Sequence, residues 1–318
     1  LHSFPTRRSS DLERVIKDRT KPKISYHDVS VRVEGVVAKE FAWVIAHHWN
    51  IAKSQLEKKQ RNRYSLCLKL SQYSEIEAKR PIESLLLDEK LLVKNRNTII
   101  DQNINKQIVA SQETEGSCTC QVLRSPGKWS HSLREKDIIE NSIERAYVEL
   151  IEKSQRFISI ETQFFISNST RAVKNDIAGA IIRRILRAHE KKEKFLIVMI
   201  LNLLIPFPGN PAELMGYPVY REAKLQLHTI FQGGTSIFEQ LEENGVDPKE
   251  YIKIYSLRNH GKNQGVPMTE IICIHSKNMI VDDSTLILGS ANINDRSLMG
   301  NLDTEIDVRV FLCLMIDF

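Results

Sequence analysis

Glycine is scarce in this sequence, and the common glycine-rich phosphate-binding motifs are absent from it. Only 13 of the 318 residues are glycine, whereas an average protein carries about 7%. Neither G-x-G-x-x-G nor G-x-x-x-x-G-K-[ST] occurs anywhere in the chain. The sequence therefore argues against a dinucleotide-binding Rossmann fold and against a P-loop nucleotide site.

Long apolar runs and paired cysteines are also lacking. The longest apolar stretch, residues 195–207, is interrupted by Asn202 and is shorter than the ~20 residues of a membrane-spanning helix. The five cysteines are irregularly spaced, and Cys118-Thr-Cys120 does not match the spacing of a structural zinc site. No secretory signal opens the sequence. We therefore expect a cytoplasmic protein with reduced thiols.

The composition is that of a globular protein with a small excess of positive charge. Apolar residues make up 42% and charged residues 27%, and 45 Lys and Arg against 40 Asp and Glu give a net charge of +5. The length suits two domains, or one large one, at about 150 residues each. A basic balance suits an anionic partner such as nucleic acid or an acidic lipid surface, but it also describes an ordinary solvated face.

The first part of the chain divides into three segments. Residues 1–12 contain FPTRRSSDL, which resembles a translated sequencing adapter, and we expect this segment to be an artefact. Apolar residues at helical spacing predict a helix over residues 28–49 with Asp28 as its N-cap. Residues 51–115 are polar and basic, which predicts a partly disordered insert. Two alternatives stay open for its basic residues, contact with anionic lipid headgroups or simple solvation: Lys58, Lys59, Arg61 and Arg63.

From Cys120 onward, strand and helix patterns alternate, which predicts an α/β fold with a layered mixed sheet flanked by helices. Helices are predicted over residues 136–154, 172–190 and 220–244, the last interrupted at Gly233-Gly234. Strands are predicted over residues 121–124, 157–161, 194–203, 251–255, 271–274, 278–281, 286–288 and 306–312.

The segment from Ile274 to Ser297 carries the clearest chemical signal. It contains His275-x-Lys277-x4-Asp282, followed by Gly289-Ser290-Ala291-Asn292. Residues i and i+2 of a strand share a face, so one strand could direct His275 and Lys277 into one cavity. A turn at Gly289-Ser290 could return the chain so that Asn292 joins them.

These residue types suit chemistry at phosphorus. An imidazole can attack phosphorus or protonate a leaving alkoxide, and Lys277 offers a compact positive charge for phosphate oxygens. Ser290 and Asn292 add hydrogen-bond donors, while Asp282 is expected to pair or orient. No carboxylate cluster accompanies the set, so we expect neither a metal nor another cofactor. The alternative is a strand with one satisfied histidine and one exposed lysine.

This segment resembles the second HKD motif of eukaryotic phospholipase D. The resemblance continues through Asp303-Thr304-Glu305 and, upstream, through the I-x-I-E-N-Q-F-F-I-S signature at residues 158–167, where Thr162 replaces the usual asparagine. Tyr26-His27-Asp28 also fits, as a block that follows the first motif. The resemblance covers roughly residues 21–50 and 120–310 and leaves out the insert.

The resemblance implies two similar α/β halves that share one active site. Residues 13–50 would be a remnant of the first half, and residues 116–318 the second catalytic half, incomplete at its C-terminus. In the family one histidine forms a phosphohistidine, and His275 would be the general acid/base. Glu305 matches a carboxylate that orients a catalytic histidine of the other half. The chain contains no second H-x-K-x4-D, so the missing N-terminal half of the same protein is an expected partner.

The leading hypothesis is a peripheral membrane enzyme that hydrolyses phosphatidylcholine-like phospholipids to phosphatidic acid, with phosphoinositide as a further partner and no nucleic acid. The alternatives are a nuclease or other phosphodiesterase of the same superfamily, and a non-catalytic membrane-associated half-domain. For the chain alone we expect no activity and a tendency to aggregate, because apolar surface over residues 158–160 and 271–274 would be uncovered.

Overall fold

The computed structural model describes residues 25–55, 118–127, 130, 139–168, 172–202, 217–263 and 266–311. Its strands are β1 (Ser25–His27), β2 (Thr119–Ser125), β3 (Phe157–Thr162), β4 (Leu196–Leu201), β5 (Ile252–Tyr255), β6 (Arg258–Asn263), β7 (Val266–Ile274), β8 (Asn278–Val281), β9 (Thr285–Gly289) and β10 (Glu305–Phe311). Its helices are α1 (Val36–Gln55), α2 (Ser142–Lys153), α3 (Ile177–Lys191), α4 (Tyr217–Ile230), α5 (Ile237–Glu243), α6 (Pro248–Tyr251) and α7 (Asp295–Leu298).

The strands form two sheets. The larger sheet has seven strands in the order β2-β10-β9-β8-β3-β4-β5, and the smaller has the order β1-β7-β6. Strands β3, β4 and β5 run parallel to one another, whereas β2, β10, β9, β8 and β3 pair antiparallel in succession. In the smaller sheet β1 is parallel and β6 antiparallel to β7. The predicted α/β fold with a mixed sheet and flanking helices is confirmed.

The core lies between the larger sheet and its helices. Alternate residues of β3, Ile158 and Ile160, are fully buried, and the α2 face that carries Tyr147 is buried as well. Apolar side chains at two-residue spacing in strands and three- to four-residue spacing in helices produce this arrangement. The expectation of uncovered apolar surface over 158–160 is therefore wrong, because β3 is an interior strand between β8 and β4.

The first described segment departs from the predicted helix. Residues 25–27 form a strand, and α1 begins only at Val36, directly after Gly35, whose φ is +78°. Asp28 is therefore not an N-cap. The pairing of β1 with β7 ends directly before Asp28, and Asp28 contacts His275. These contacts with distant residues, and not the helical side-chain pattern, determine the conformation at the start of the predicted helix.

Two other predicted helices need corrected boundaries, while their identity is confirmed. Helix α2 begins at Ser142 rather than at residue 136, and Ile139, predicted on its buried face, is 57% exposed. Helix α3 begins at Ile177 rather than at residue 172. The predicted break at Gly233-Gly234 separates α4 from α5. Both glycines have positive φ, +148° and +79°, which L side chains rarely adopt.

Candidate active site

His275, Ser276 and Lys277 form the connection between the two sheets. Strand β7 of the smaller sheet ends just before them, and β8 of the larger sheet begins just after. The prediction that His275 and Lys277 occupy one strand is therefore wrong. The backbone of the connection is nevertheless held at both ends, since the His275 amide donates a hydrogen bond to the carbonyl of His27 and the Gly289 amide donates one to the carbonyl of Lys277. It can therefore present both side chains from a fixed position.

The first strand orients His275. Its Nδ1 lies 2.8 Å from Oδ2 of Asp28, and the two side chains are 44% and 50% exposed. The carbonyl of His27 accepts hydrogen bonds from the backbone amides of His275, at 2.8 Å, and Ser276, at 3.2 Å. The backbone and the imidazole of His275 are thus both fixed by two consecutive residues of the first segment.

Glu161 joins the two sides of this connection. Its Oε1 lies 2.9 Å from Nε2 of His27, and its Oε2 accepts a hydrogen bond of 3.1 Å from Nδ2 of Asn278. Since His27 precedes Asp28 and Asn278 follows Lys277, one carboxylate braces both ends of the histidine site. Glu161 therefore has a positioning role in this geometry.

Asn202, the polar residue inside the long apolar stretch, holds the end of β7. Its Oδ1 accepts a hydrogen bond of 2.9 Å from the amide of Ile274, and its Nδ2 donates one of 2.8 Å to the carbonyl of the same residue. Asn202 is 1% exposed. The buried side-chain amide of Asn202 thus makes the two hydrogen bonds that the main chain of a neighbouring strand would make with Ile274. These bonds keep the backbone directly before His275 in place.

Lys277 is buried, and its Nζ donates a hydrogen bond to the carbonyl of His275. Desolvation by burial lowers the pKa of Lys277, while the nearby carboxylates of Asp28 and Glu305 act in the opposite direction and favour the ammonium form. The lysine therefore places a cationic group between the acidic residue that orients His275 and the predicted carboxylate Glu305.

Glu305 lies at the start of β10 and is held by two hydroxyl groups. Ser290 donates a hydrogen bond of 2.5 Å to its Oε2, and Ser297 donates one of 2.8 Å to its Oε1. Burial raises the pKa of Glu305, and the two hydroxyl bonds partly counter that rise. Ser290, predicted to bind phosphate, thus has the carboxylate as its partner.

Asp307, two residues farther along β10, is a buried carboxylate next to this group. Its Oδ1 accepts a hydrogen bond of 3.1 Å from the amide of Ala291, and no side chain or main chain that the structure describes makes a hydrogen bond to its Oδ2. Desolvation by burial raises the pKa of Asp307 from 3.8 to about 7, and the charge of Glu305 adds to the rise. The sequence analysis did not single out this residue.

The structure places Asp282 apart from His275. Asp282 follows β8, and its carboxylate accepts hydrogen bonds from the backbone amides of Gln155, Arg156 and Phe157 at 2.7–3.0 Å. It therefore orients the start of β3. No hydrogen bond within the described residues joins Asn292 to His275, and Oδ1 of Asn292 is buried without a partner.

Other predicted features are outside this geometry. The basic residues 58, 59, 61 and 63 of the insert lie outside the described residues. Within the ranges that the structure describes, no group of three or more His, Cys, Asp or Glu side chains is arranged to hold a metal ion. Among the same residues, no helix combines the length and the apolar character needed to cross a membrane.

Sequence reasoning singled out His275, Lys277 and Glu305, which the structure brings into one neighbourhood, but it missed the contact of Asp28 with His275. The Tyr26-His27-Asp28 block was the available signal, since it fitted the family pattern. Chemically, the arrangement offers an oriented imidazole, a buried ammonium beside it and a hydroxyl-held carboxylate. Such a set can transfer protons and neutralise the charge of a phosphate group.

Comparison with known proteins agrees with this chemistry. The family model for phospholipase D matches residues 9–271 and 267–313. Phospholipase D1 of Schizosaccharomyces pombe is 34% identical over 302 residues, or 93% of this chain and 19% of that protein. Phospholipase D2 of Bos taurus is 34% identical over 298 residues, or 93% of this chain and 28% of that protein. Phospholipase D zeta 1 of Arabidopsis thaliana is 42% identical over 199 residues, or 61% of this chain and 18% of that protein.

The chain thus spans between 18% and 28% of the length of these curated relatives. A solved structure, the phospholipase D family member Nuc from Salmonella typhimurium, superposes with a TM-score of 0.31 and 14% identity, covering 61% of this chain and 84% of Nuc. The assignment rests on the sequence matches. Because the family model matches more than half of the 318 residues, the chain belongs to the phospholipase D family.

Proposed function

We propose that the intact protein is a phospholipase D that hydrolyses phosphatidylcholine-like phospholipids to phosphatidic acid and the head-group alcohol at a membrane surface. The observation that carries the proposal is the 2.8 Å contact between His275 Nδ1 and Asp28 Oδ2, next to buried Lys277. An oriented imidazole beside a cation suits phosphodiester cleavage, and membership of the phospholipase D family supports a phospholipid as the substrate.

The proposed role of His275 is general acid, then general base. An ionised carboxylate only accepts hydrogen bonds, so the contact with Asp28 places a proton on Nδ1. Nε2 is then the nitrogen that exchanges protons with the substrate. In the first step it gives a proton to the head-group oxygen as the P–O bond breaks, and in the second it takes a proton from water.

Lys277 supplies charge stabilisation in this scheme. The phosphorus centre gathers negative charge on its non-bridging oxygens as it is attacked, and a nearby ammonium group lowers the energy of that state. The carboxylates of Asp28 and Glu305 favour the charged form of this lysine. Lys277 would then act on the phosphate oxygens, while His275 acts on the leaving group.

The nucleophile in this proposal is a second histidine, which the present sequence does not supply in an H-x-K-x4-D motif. Its nitrogen would form the N–P bond as the head-group oxygen leaves, and water would later break that bond and release phosphatidic acid. Glu305, held by Ser290 and Ser297, is the proposed orienting group for that histidine. We accordingly propose that the 318-residue chain alone does not complete both steps.

The test compares single variants of the longer protein that contains this sequence. His275→Asn should reduce choline release from phosphatidylcholine vesicles by at least ~10²-fold, the scale of general acid–base catalysis. Asp28→Asn should also reduce turnover, but less, because the imidazole is kept and only its orientation weakened. His260→Asn is the matched control, since His260 is exposed in β6 and its Nδ1 lies 2.9 Å from Oγ1 of Thr269, within the same hairpin.

Three outcomes would contradict the proposal. Residual activity of His275→Asn above about a tenth of the original would exclude the acid/base role. Cleavage of plasmid DNA with no release of choline would favour the nuclease alternative. Choline release by a purified, monodisperse sample of the 318-residue chain would refute its proposed inactivity.

A further inference from the structure

A cleft lies at the end of the larger sheet where β3 and β4 begin, which is the end opposite to His275. Its volume is ≈ 480 Å³, within the range of about 300–1,000 Å³ usual for small-molecule sites. The end of α2, the loop into β3, one side of α3 and the segment before β4 enclose it. The residues that line it are Lys153, Ser154, Gln155, Arg156, Arg184, Arg187, Glu193 and Lys194.

The cleft is separate from the candidate active site. Strands β3 and β4 run parallel, and the cleft lies where both strands begin: residues 153–156 lead into β3, and residues 193 and 194 lead into β4. Glu161, which braces the histidine site, lies near the opposite end of β3. Six residues of strand span roughly 20 Å, so one small ligand cannot contact both places.

The lining has an excess of positive charge. Five of its side chains are lysine or arginine, and Glu193 is its one carboxylate. Oε2 of Glu193 is engaged by Arg184 at 3.1 Å, and Lys153 is paired with Glu149 at 2.8 Å. Arg156 and Lys194 are exposed to solvent at the rim. Such a concave, mostly cationic surface attracts anions.

Arg184 is a built part of this cleft rather than a flexible surface cation. It is 1% exposed, and its Nε and Nη2 donate hydrogen bonds to the carbonyls of Ser154 and Gln155 at 2.7 and 2.8 Å. Its guanidinium carbon lies 3.9 Å from the ring centroid of Phe195. Nη1 is buried and has no hydrogen-bond partner among the described residues, which is unusual for a buried guanidinium.

The electrostatic surroundings of Arg184 favour the binding of a negatively charged group. Desolvation by burial lowers the pKa of Arg184 and repulsion from Arg187 lowers it further, while the carboxylates of Glu193 and Asp282 act in the opposite direction. The charged form of a buried group is disfavoured when its surroundings carry like charge. An anion bound in the cleft would reverse that effect.

The floor of the cleft is held in place before any ligand arrives. Asp282 accepts hydrogen bonds from the backbone amides of Gln155 and Arg156. Arg187 donates a hydrogen bond from Nη2 to the carbonyl of Glu152. These contacts fix the backbone that carries the basic side chains, so little conformational freedom would be lost on binding.

We propose that this cleft binds a compact anion that carries two or more phosphate groups. Arginine forks bind phosphate oxygens in pairs, and lysine adds point charge. The cleft volume exceeds what a single phosphate needs, and the cationic groups come from four separate segments around it. The ligand is either a free polyphosphate or a phosphorylated lipid headgroup, which share this chemistry.

The test measures binding by the 318-residue chain, and it is independent of phospholipid hydrolysis. Inorganic tripolyphosphate is titrated calorimetrically into the original chain, the double variant Arg156→Gln/Lys194→Gln and the control Lys191→Gln/Lys249→Gln. All four positions are exposed, and both variants remove two positive charges, but the control residues do not line the cleft. The cleft variant should bind about tenfold more weakly than the original, and the control unchanged, since charge-assisted contacts are lost only in the former.

Vesicles distinguish the two sources. The ligand is a lipid headgroup if the cleft variant, but not the control, loses binding to phosphatidylinositol bisphosphate vesicles, and if these vesicles compete with tripolyphosphate. The ligand is a free anion if the cleft substitutions weaken the binding of tripolyphosphate but not of the vesicles. Equal losses in the cleft and control variants would overturn the proposal, as would the absence of tripolyphosphate and vesicle binding by a chain whose thermal unfolding shows it to be folded.

Discussion

The buried carboxylate of Asp307 should make the stability of this fold depend on pH in an unusual direction. Its pKa is about 7 in the folded chain against an ordinary value of 3.8, chiefly because burial disfavours the charged form. The folded chain therefore holds this proton more tightly than the unfolded chain does. Between pH 3.8 and about 7, the folded state binds more protons, so the contribution of Asp307 to stability falls as the pH rises.

The size of the effect follows from the two pKa values. At about 1.4 kcal/mol for each pKa unit, the difference between 3.8 and about 7 corresponds to about 4 kcal/mol. Asp307→Asn removes the titrating group and keeps an oxygen to accept the amide hydrogen of Ala291. The variant should therefore be more stable than the original chain by up to about 4 kcal/mol above the folded pKa, and similar to it at pH about 4.

Urea unfolding at a series of pH values measures this difference directly. Asp303→Asn is the control, because it removes a carboxylate from a half-exposed ion pair with Arg296, and such pairs contribute about 1 kcal/mol or less. A stabilisation by Asp307→Asn that is the same at acid and at neutral pH would refute the reasoning. The effect would then come from packing and not from ionisation.

Two further substitutions test the packing of the site and the start of a helix. Gly289→Ala should destabilise the fold by at least ~1–3 kcal/mol, because a Cβ there would lie 2.1 Å from Oδ1 and 2.5 Å from Cα of Asp307. Gly261→Ala, with nothing within 4 Å of its added carbon, is its control, and equal unfolding midpoints would contradict the expectation. Ser236→Ala should lower the free energy of unfolding by ~1 kcal/mol, since Ser236 and Glu239 cap α5 reciprocally; an unchanged urea midpoint would argue against the cap.

Local side-chain patterns were sufficient to predict the strands of the larger sheet and the presence of its flanking helices. The alternation in residues 157–161 predicted β3, and the helical spacing through Tyr147 predicted the buried face of α2. The same patterns failed at residues 28–35, which were predicted to be helical but lie before α1. Directly before them β1 pairs with β7, and a short strand that pairs with a distant one leaves no periodic signal of its own.

For the candidate site as well, sequence patterns identified residues that lie close together in the chain and missed a contact between distant ones. The spacing of H-x-K-x4-D identified His275 and Lys277, because both lie in one short segment. Asp28 could not be assigned to His275 by spacing, since 247 positions separate the two residues. Asp282 shares the motif with His275 but contacts the start of β3, because a strand of extended residues carries it away from the site.

The long separation between Asp28 and His275 has a consequence for the order in which the candidate site forms during folding. Hairpin pairing of β6 with β7 closes a short loop, whereas docking of β1 onto β7 closes one of more than 200 residues. The entropy lost on closing a flexible loop rises with its length by about 0.6 kcal/mol for each doubling. We expect the β6–β7 hairpin to form before β1 docks onto β7, so the strand that leads to His275 exists before the imidazole is oriented. The main chain next to the histidine and the contact that orients its side chain would then form at different times.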